Sequence, residues 1–357
     1  MTPVEKLRER MVGKIEAALI TSDINRRYFT GMRSSAGTLV VFPDSAYLII
    51  DFRYIEKARA TVTDCDVILQ QSGGGLYRQI DELCEKHGVE TISVEADTMT
   101  LKDADQLSEE LDTMLDMSDS LCDIIGSLRR VKTRGELEKM IAAQRIAEKG
   151  LDHMYSFIKE GMTEKEIQLE LDYYMLSHGA EALSFDTIAL SGVNTSMPHG
   201  VPSDKKVKKG EFILLDFGAV VDGWHSDMTR TFCLGEPTDF MRQVYDIVLK
   251  AQLAGIAAVK AGMKGSDVDN ISRSIISEAG YGDQFGHSLG HGVGMEIHES
   301  PYASPSSDDI LEAGSVVTVE PGIYIEGKFG IRIEDFVIVT ENGCENMTAA
   351  EKQLIII

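Results

Sequence analysis

The sequence lacks the features that mark secreted, membrane-spanning and disulfide-stapled proteins. Its 357 residues include only five cysteines, with no CxxC pair, which favours reduced thiols in a cytosol over a disulfide framework. The N-terminus carries charges through its first turns and has no apolar stretch of the kind found in signal peptides. No apolar run approaches the roughly 18 residues that a membrane span needs. We therefore expect a soluble, cytoplasmic protein.

Basic residues are also scarce. The chain has 35 Lys and Arg against 58 Asp and Glu, which gives a formal net charge of −23. Nucleic acids and anionic membranes attract basic surfaces, so we expect neither as a partner. The hydrophobic content of 43% is ample for packed cores, and the length suits two domains better than one.

Secondary-structure patterns divide the chain into two parts. The first alternates short apolar runs, typical of buried strands, with helical patterns. From Lys132 onward the pattern is one long amphipathic helix, with Thr133 as its N-cap and Glu136 completing a capping box. We predict a smaller α/β domain over residues 1–126 and a second domain over residues 127–357.

The second part contains an internal duplication. IKEGMTEKEI around Gly161, where we expect the long helix to stop, matches VKAGMKGSDV around Gly262, 101 residues later. KKGEFILLDFG matches EAGSVVTVEPG at an offset of 104, which aligns Asp216 with Glu320. Several matches at nearly one offset, with elements in the same order, indicate a duplicated unit. Two such halves would pack about a pseudo-twofold axis, each with an acid at the end of a buried strand.

The first half places a second acid beside the first. Asp222-Gly223 is a strong hairpin-turn signal. A two-residue turn there sets Asp216 opposite Thr229, and Asp227 then lies on the same face because side chains alternate with period two. Two carboxylates therefore converge.

The second half repeats the arrangement. Glu320 and Glu334 share a face if the turn between their strands centres near Gly327, although Pro321 is a candidate for a bulge. Four clustered carboxylates repel one another, and two divalent cations would neutralise them. The alternative, in which each acid pairs separately with a surface Lys or Arg, leaves unexplained why a repeat sets all four on buried strands.

The stretch HSLGHGVGMEIHE holds three of the eight histidines, at a spacing that would form one stripe on a helix. Each of its three alternating glycines would cost about 1 kcal/mol in a helix interior. Glycines at this spacing favour a strand or loop in which backbones approach closely. We therefore predict that this stretch is not a helical HxxxH zinc site.

Several segments resemble those of a known family. DFG, DGWHSDMTRT, GHGVGMEIHE, VEPGIYI and IRIED are similar to segments of the dinuclear-metal peptidases with the creatinase/aminopeptidase, or pita-bread, fold. They are most similar to its proline-specific branch, aminopeptidase P and prolidase. NRRYFTG and IDFRY resemble that branch's N-terminal domain, so the resemblance covers the whole chain. It implies an α+β protein in which a creatinase-like α/β domain precedes a duplicated pita-bread catalytic domain.

The resemblance also implies a site and a reaction. Two divalent ions, of manganese, cobalt, iron(II) or zinc, would hold a hydroxide that attacks the Xaa-Pro bond at the N-terminus of dipeptides or short peptides. A homodimer is implied as well. The implied metal ligands are Asp216, Asp227, His291, Glu320 and Glu334.

Four catalytic roles follow from the same resemblance. His298 would stabilise the oxyanion of the tetrahedral intermediate, and Glu320 would pass a proton to the leaving nitrogen. His199 and His287 would hold the substrate around its carbonyl and proline.

One departure and two alternatives bear on this interpretation. Many prolidase-like relatives carry an arginine after the HExP segment, suited to the free carboxylate of a dipeptide, where this chain has Tyr302. Dipeptidase and aminopeptidase activity are therefore both left open. A methionine aminopeptidase shares the five ligands but generally lacks the extra α/β domain. A non-catalytic peptide-binding member of the fold tends to lose ligands, and this chain retains all five.

Overall fold

The computed structural model covers all 357 residues, which divide into two units, Met1–Arg129 and Arg130–Ile357. Both units combine helices with sheets, which confirms the α+β prediction. The predicted boundary after residue 126 falls within the last helix of the first unit. No helix in the chain has the length and apolar character needed to cross a membrane.

The first unit is an α/β domain built around one six-stranded sheet. Its helices α1 to α6 are Pro3–Met11, Asp23–Thr30, Ile55–Thr61, Gly75–His87, Leu101–Glu110 and Ser120–Arg130. Its strands β1 to β6 are Ala17–Ile20, Thr38–Val41, Ala46–Ile50, Asp66–Leu69, Thr91–Val94 and Met114–Asp116. The strand order is β4-β3-β2-β1-β5-β6, and β2 runs antiparallel to both neighbours. Side chains of α4 cover the apolar residues of the central strands, which read as unbroken apolar runs because they are buried.

The second unit contains four helices and thirteen strands. Helices α7 to α10 are Arg134–Phe157, Glu164–Ser177, Asp239–Ala258 and Gly265–Glu278. Strands β7 to β19 are Ala182–Leu183, Ile188–Ser191, Glu211–Phe217, Ala219–Val221, Trp224–His225, Met228–Leu234, Gly290–Gly292, Glu299–Ala303, Val316–Val319, Gly322–Ile325, Phe329–Arg332, Asp335–Thr340 and Gly343–Asn346. They form four sheets, in the orders β11-β10-β7, β12-β9-β8, β14-β13-β15-β18-β19 and β16-β17.

The duplication predicted from the sequence is present in the order of these elements. Helices α8 and α10 begin 101 residues apart and end 101 residues apart. Gly179 and Gly280, which follow them, both have positive φ, of 108° and 88°. Each half then leads into a buried strand, β9 or β15, and each half packs its own apolar core. The acids at the ends of these two strands are thereby placed by the repeat.

Helix α7 begins as predicted and ends earlier than predicted. Thr133 and Glu136 form the reciprocal capping box that their spacing indicates. The helix ends at Phe157 rather than near Gly161, because the next residues turn away to pair with another segment. The Gly161 N–H donates to the carbonyl of Val207 at 2.9 Å, and its φ of 90° is one that glycine adopts without strain.

Candidate metal centre

The first pair of acids is placed by the hairpin that Asp222-Gly223 predicts. Both turn residues have positive φ, of 50° and 84°, as a two-residue hairpin turn of type I′ requires. Asp216 is paired with Thr229 across β9 and β12, which confirms the predicted register. Asp227 stands just before β12 and is only 4% exposed.

The second pair is placed by a turn centred at Gly327, where φ is 71°. Two residue pairs flank Glu320 and Glu334 along the strands: Gly322 with Arg332 nearer the turn, and Val319 with Asp335 further from it. Both pairs belong to one continuous register. Glu320 and Glu334 therefore stand opposite each other, as predicted. The possible bulge at Pro321 is absent, since the register does not shift there.

His291 lies on strand β13, so the prediction that this glycine-rich stretch is not helical is confirmed. A Cβ on Gly290 would sit 2.0 Å from the carbonyl oxygen of Thr318, and one on Gly292 would sit 2.5 Å from that of Glu299. Only glycine permits so close an approach of the neighbouring backbones. The glycines thereby let β13 lie between β14 and β15. The imidazole of His291, the residue between the two glycines, is directed at the acids.

The predicted ligands meet at one place. Ligand atoms of Asp227, His291 and Glu334 all lie within 4.8 Å of one another. The Nε2 atom of His291 is 3.4 Å from an oxygen of Glu320 and 3.6 Å from one of Asp227. Asp216 reaches the same cavity from β9. All five residues therefore line a common site.

Hydrogen bonds from neighbouring side chains fix the orientation of these groups. The Thr229 hydroxyl donates to Glu334 at 2.7 Å, and the Thr318 hydroxyl donates to Glu320 at 3.3 Å. The Nδ1 atom of His291 lies 3.0 Å from the Gly292 carbonyl, which can only accept. Nδ1 must therefore carry the proton, and the lone pair of Nε2 faces the acids, as a metal ligand requires.

Burial and mutual repulsion alter the protonation of the cluster. Burial, and then the charges of Asp216 and Glu320, raise the pKa of Asp227 well above its usual range. Burial, and then the charge of Asp227, do the same to the pKa of Glu334. Burial raises the pKa of Glu320 to about 8 despite the opposing charge of a nearby arginine. Burial also lowers the pKa of His291 to about 4, so its ring is neutral at pH 7.

The donor set fits divalent cations. One carboxylate oxygen of Asp216, Oδ1, is fully buried without any hydrogen-bond partner, while Oδ2 accepts from Arg332 at 2.5 Å. An unpaired buried oxygen is costly, and so are acids that must hold protons at neutral pH. Cations bound among the acids would relieve both costs. Four carboxylates and one neutral imidazole suit manganese, cobalt or iron(II) at least as well as zinc.

A cavity of about 410 Å³ opens onto the acids. His199, His287 and His298 line it together with the predicted ligands, so the structure brings every predicted site residue to this cavity. No hydrogen bond engages the ring of His199 or of His298. Both ring nitrogens of His287 are engaged, since Nδ1 lies 2.8 Å from the Ser288 carbonyl and Nε2 lies 2.9 Å from the Tyr324 hydroxyl.

Comparison with known proteins identifies the family of this site. Residues 138–341 match the model of metallopeptidase family M24, and residues 3–131 match the creatinase/prolidase N-terminal domain. The chain belongs to metallopeptidase family M24. Its two-domain architecture, with a pita-bread catalytic domain, is the one predicted from the sequence.

Several relatives of this M24 peptidase are similar over their whole length. The Xaa-Pro dipeptidase of Pyrococcus furiosus is 37% identical over 96% of this chain and 95% of its own. The solved structure of an Xaa-Pro dipeptidase from Bacillus anthracis matches with a TM-score of 0.94, at 39% identity over 99% of both chains. That of an X-Pro aminopeptidase from Thermotoga maritima matches with a TM-score of 0.91, at 37% identity over 98% of this chain and 99% of the other.

Sequence reasoning missed part of the M24 site. Phe185, Ile188 and Ile297 give the cavity an apolar wall that was not predicted, although Ile297 stands within the GHGVGMEIHE segment. Ile188 is paired with Asp216 across β8 and β9, so only the register of that strand pair could have revealed it. Tyr302, singled out for its departure from the prolidase pattern, is not among the residues that line the cavity. Its side chain is 43% exposed on β14.

Proposed function

We propose that this M24 peptidase hydrolyses the Xaa-Pro bond at the N-terminus of dipeptides or short peptides, with two divalent metal ions as cofactors. The observation that carries the proposal is the convergence of four carboxylates and one neutral imidazole on a single cavity, with one buried oxygen of Asp216 unpaired. Relatives named Xaa-Pro dipeptidase and X-Pro aminopeptidase, similar along the whole chain, support the substrate class.

The five predicted ligands would hold the two ions between them. We propose that Asp216 would hold one ion, that His291 and Glu320 would hold the other, and that Asp227 and Glu334 would be shared by both. The mutual proximity of Asp227, His291 and Glu334 supports an ion shared by these three residues. When bound, the ions would supply a water nucleophile that is active at neutral pH and would polarise the scissile carbonyl.

The histidines of the cavity act on the substrate in different ways. The unengaged rings of His199 and His298 are available to donate hydrogen bonds, His199 to the substrate carbonyl and His298 to the oxyanion that forms from it. Burial, and then the charge of His199, lower the pKa of His298, so its ring donates as a neutral imidazole. His287 has both nitrogens engaged, and it therefore holds the proline side of the substrate through ring contact rather than through a hydrogen bond.

Glu320 handles the proton of the leaving group. Its carboxylate lies beside the hydroxyl of Thr318 and the ring of His291, at the edge of the cavity. We propose that it takes the proton released by the attacking water and passes it to the leaving nitrogen, which must be protonated for the bond to proline to break. The apolar wall of Phe185, Ile188 and Ile297 favours the proline ring over a polar residue.

Product analysis by mass spectrometry tests this function. The protein loaded with manganese or cobalt is given Ala-Pro, Ala-Pro-Ala, a longer peptide that begins Arg-Pro-Pro, and Met-Ala-Ser. Cleavage of Ala-Pro alone identifies a dipeptidase, and cleavage of the longer Xaa-Pro peptides identifies an aminopeptidase. Release of Met from Met-Ala-Ser alone contradicts the proline preference. No turnover by protein that retains bound metal favours a peptide-binding protein. By resemblance we also propose a homodimer, which light scattering tests.

A further inference from the structure

One buried acid outside the ligand set holds the segment that carries His199. Glu164, at the start of α8, is only 1% exposed and pairs with no cation. Its carboxylate accepts hydrogen bonds from the backbone N–H of Ser191 and of Ser203, at 2.7 and 3.1 Å. It also accepts from the hydroxyls of both serines and from the side-chain amide of Asn194. A buried carboxylate with this many donors is well satisfied, and all its donors belong to one short segment.

Glu164 is the side chain that holds both ends of that segment. Between the ends, Arg332 donates to the Pro198 carbonyl at 3.4 Å and the Gly330 N–H donates to the Thr195 hydroxyl at 2.8 Å. The donors stand at both ends of residues 191–203, and His199 lies between them. No hydrogen bond engages the His199 ring, so its place in the cavity follows from the backbone that carries it. One carboxylate thereby closes a loop of thirteen residues around the histidine.

The second half of the duplication has a comparable device. Asp269, on α10, is 1% exposed and forms an ion pair with Arg273, whose Nε is 2.6 Å away. Asp269 accepts from the N–H of Leu289 at 3.0 Å. Arg273 donates to the carbonyl of His287 at 2.7 Å and to that of Phe285 at 2.8 Å. The pair therefore holds the segment that carries His287.

We propose that Glu164 and Asp269 are positioning residues, each of which acts through one histidine of the cavity. Glu164 acts through His199, and Asp269 acts through His287. Helices α8 and α10 are the matched helices of the two halves, so each half of the duplication has a buried acid on its own copy of this helix. The proposal rests on the proposed function only for its effect on catalysis, and not for its effect on the histidines themselves.

The first test reads the histidines directly, without any activity. The chain has eight histidines, so selective ¹³C labelling gives eight imidazole signals in the intact protein, and His199→Ala and His287→Ala assign two of them. Glu164→Gln keeps the shape of the side chain but presents an amide to the donors, and we expect it to shift or broaden the His199 signal alone. Asp269→Asn is the matched control, and we expect it to affect the His287 signal alone. Equal changes at both histidines, or at neither, overturn the proposal.

The second test is a crossed set of double-mutant cycles on kcat/KM for the Xaa-Pro substrate, with bound metal measured in each variant. We expect Glu164→Gln to lower kcat/KM by up to about 100-fold in the parent protein and to have little further effect when His199 is already alanine. It should keep its full effect when His287 is alanine, and Asp269→Asn should show the converse. Losses that multiply in every background overturn the proposal.

Two further outcomes separate this proposal from the proposed function. If the parent protein hydrolyses no Xaa-Pro peptide, the function fails, and the imidazole signals still decide the positioning roles. If Glu164→Gln does not fold, Ser203→Ala replaces it, because that variant removes only the hydroxyl that donates to Glu164 at 2.7 Å. The same selective effect on the His199 signal is then expected, and its absence contradicts the role of Glu164.

Discussion

Removal of metal should make the stability of this protein depend on pH in a direction set by the carboxylate cluster. Burial raises the pKa of Glu320 to about 8, from an ordinary value of 4.5. Between these two values the folded, metal-free protein holds a proton on Glu320 that the unfolded chain releases. The folded state therefore binds more protons, and the free energy of unfolding falls as the pH rises through this window.

The size of the effect follows from the same shift. Each unit of difference in pKa corresponds to about 1.4 kcal/mol, so Glu320 accounts for a total loss of about 5 kcal/mol, most of it between pH 4.5 and 8. Its carboxylate is 17% exposed, so water screens it little. A loss of this size lowers the melting temperature of a domain as long as the second unit, Arg130–Ile357, by roughly 10–20 °C. The raised pKa values of Asp227 and Glu334 act in the same direction.

Bound metal should reverse this trend. Metal ions bind the deprotonated acids, so the stabilisation by manganese or cobalt should grow as the pH rises from 5.5 to 8. The assay is thermal unfolding of chelator-treated protein with and without added metal, at pH values across that range. Glu320→Gln is the control, because a neutral amide cannot release a proton: its metal-free form should be more stable than the parent at pH 8 and less sensitive to pH. A metal-free parent that melts at one temperature across this range would refute the reasoning.

Two other substitutions give expected outcomes. Lys132→Met should lower the free energy of unfolding by about 3–5 kcal/mol in urea titrations, because the Lys132 side chain is fully buried 2.7 Å from Glu299 and its loss leaves a buried charge. The control is the exposed pair of Arg134 and Glu138, where Arg134→Met should cost less than about 1 kcal/mol. Equal losses in the two variants contradict this account. Tyr302→Arg should leave KM for Ala-Pro within about twofold of the parent value, because Tyr302 is not among the residues that line the cavity. A large fall in KM for Ala-Pro but not for Ala-Pro-Ala would contradict this and show that the residue at this position binds the free carboxylate of a dipeptide.

Much of the fold and of the site could be predicted because local rules and the repeat agree. The Asp222-Gly223 turn sets the pairing of Asp216 with Thr229, since a two-residue turn admits one register. The offset of 104 then leads from Asp216 to Glu320, and the parity of the strands leads to the partner acid of each. Turn chemistry and period two are properties of neighbouring residues, so the sequence alone reveals them.

What could not be predicted depends on contacts between distant segments. Ile188 reaches the cavity only because β8 pairs with β9. No turn residue or repeat near Ile188 predicts that pairing. The acids Glu164 and Asp269 look like ordinary helix residues in the sequence, and their burial appears only once the histidine segments fold back onto them. The early end of α7 at Phe157 has the same origin, because Gly161 pairs with Val207, 46 residues further on.

The hydrogen bonds at the cluster explain why neither half of the duplication can build this site alone. Thr229, from the first half, donates to the carboxylate of Glu334 in the second. Arg332, from the second half, donates in turn to Asp216 and to the hydroxyl of Thr229 in the first. Each half thus supplies acids whose orientation depends on a donor from the other half. Because the acids repel one another when they are deprotonated, we expect bound cations to strengthen the union of the two halves.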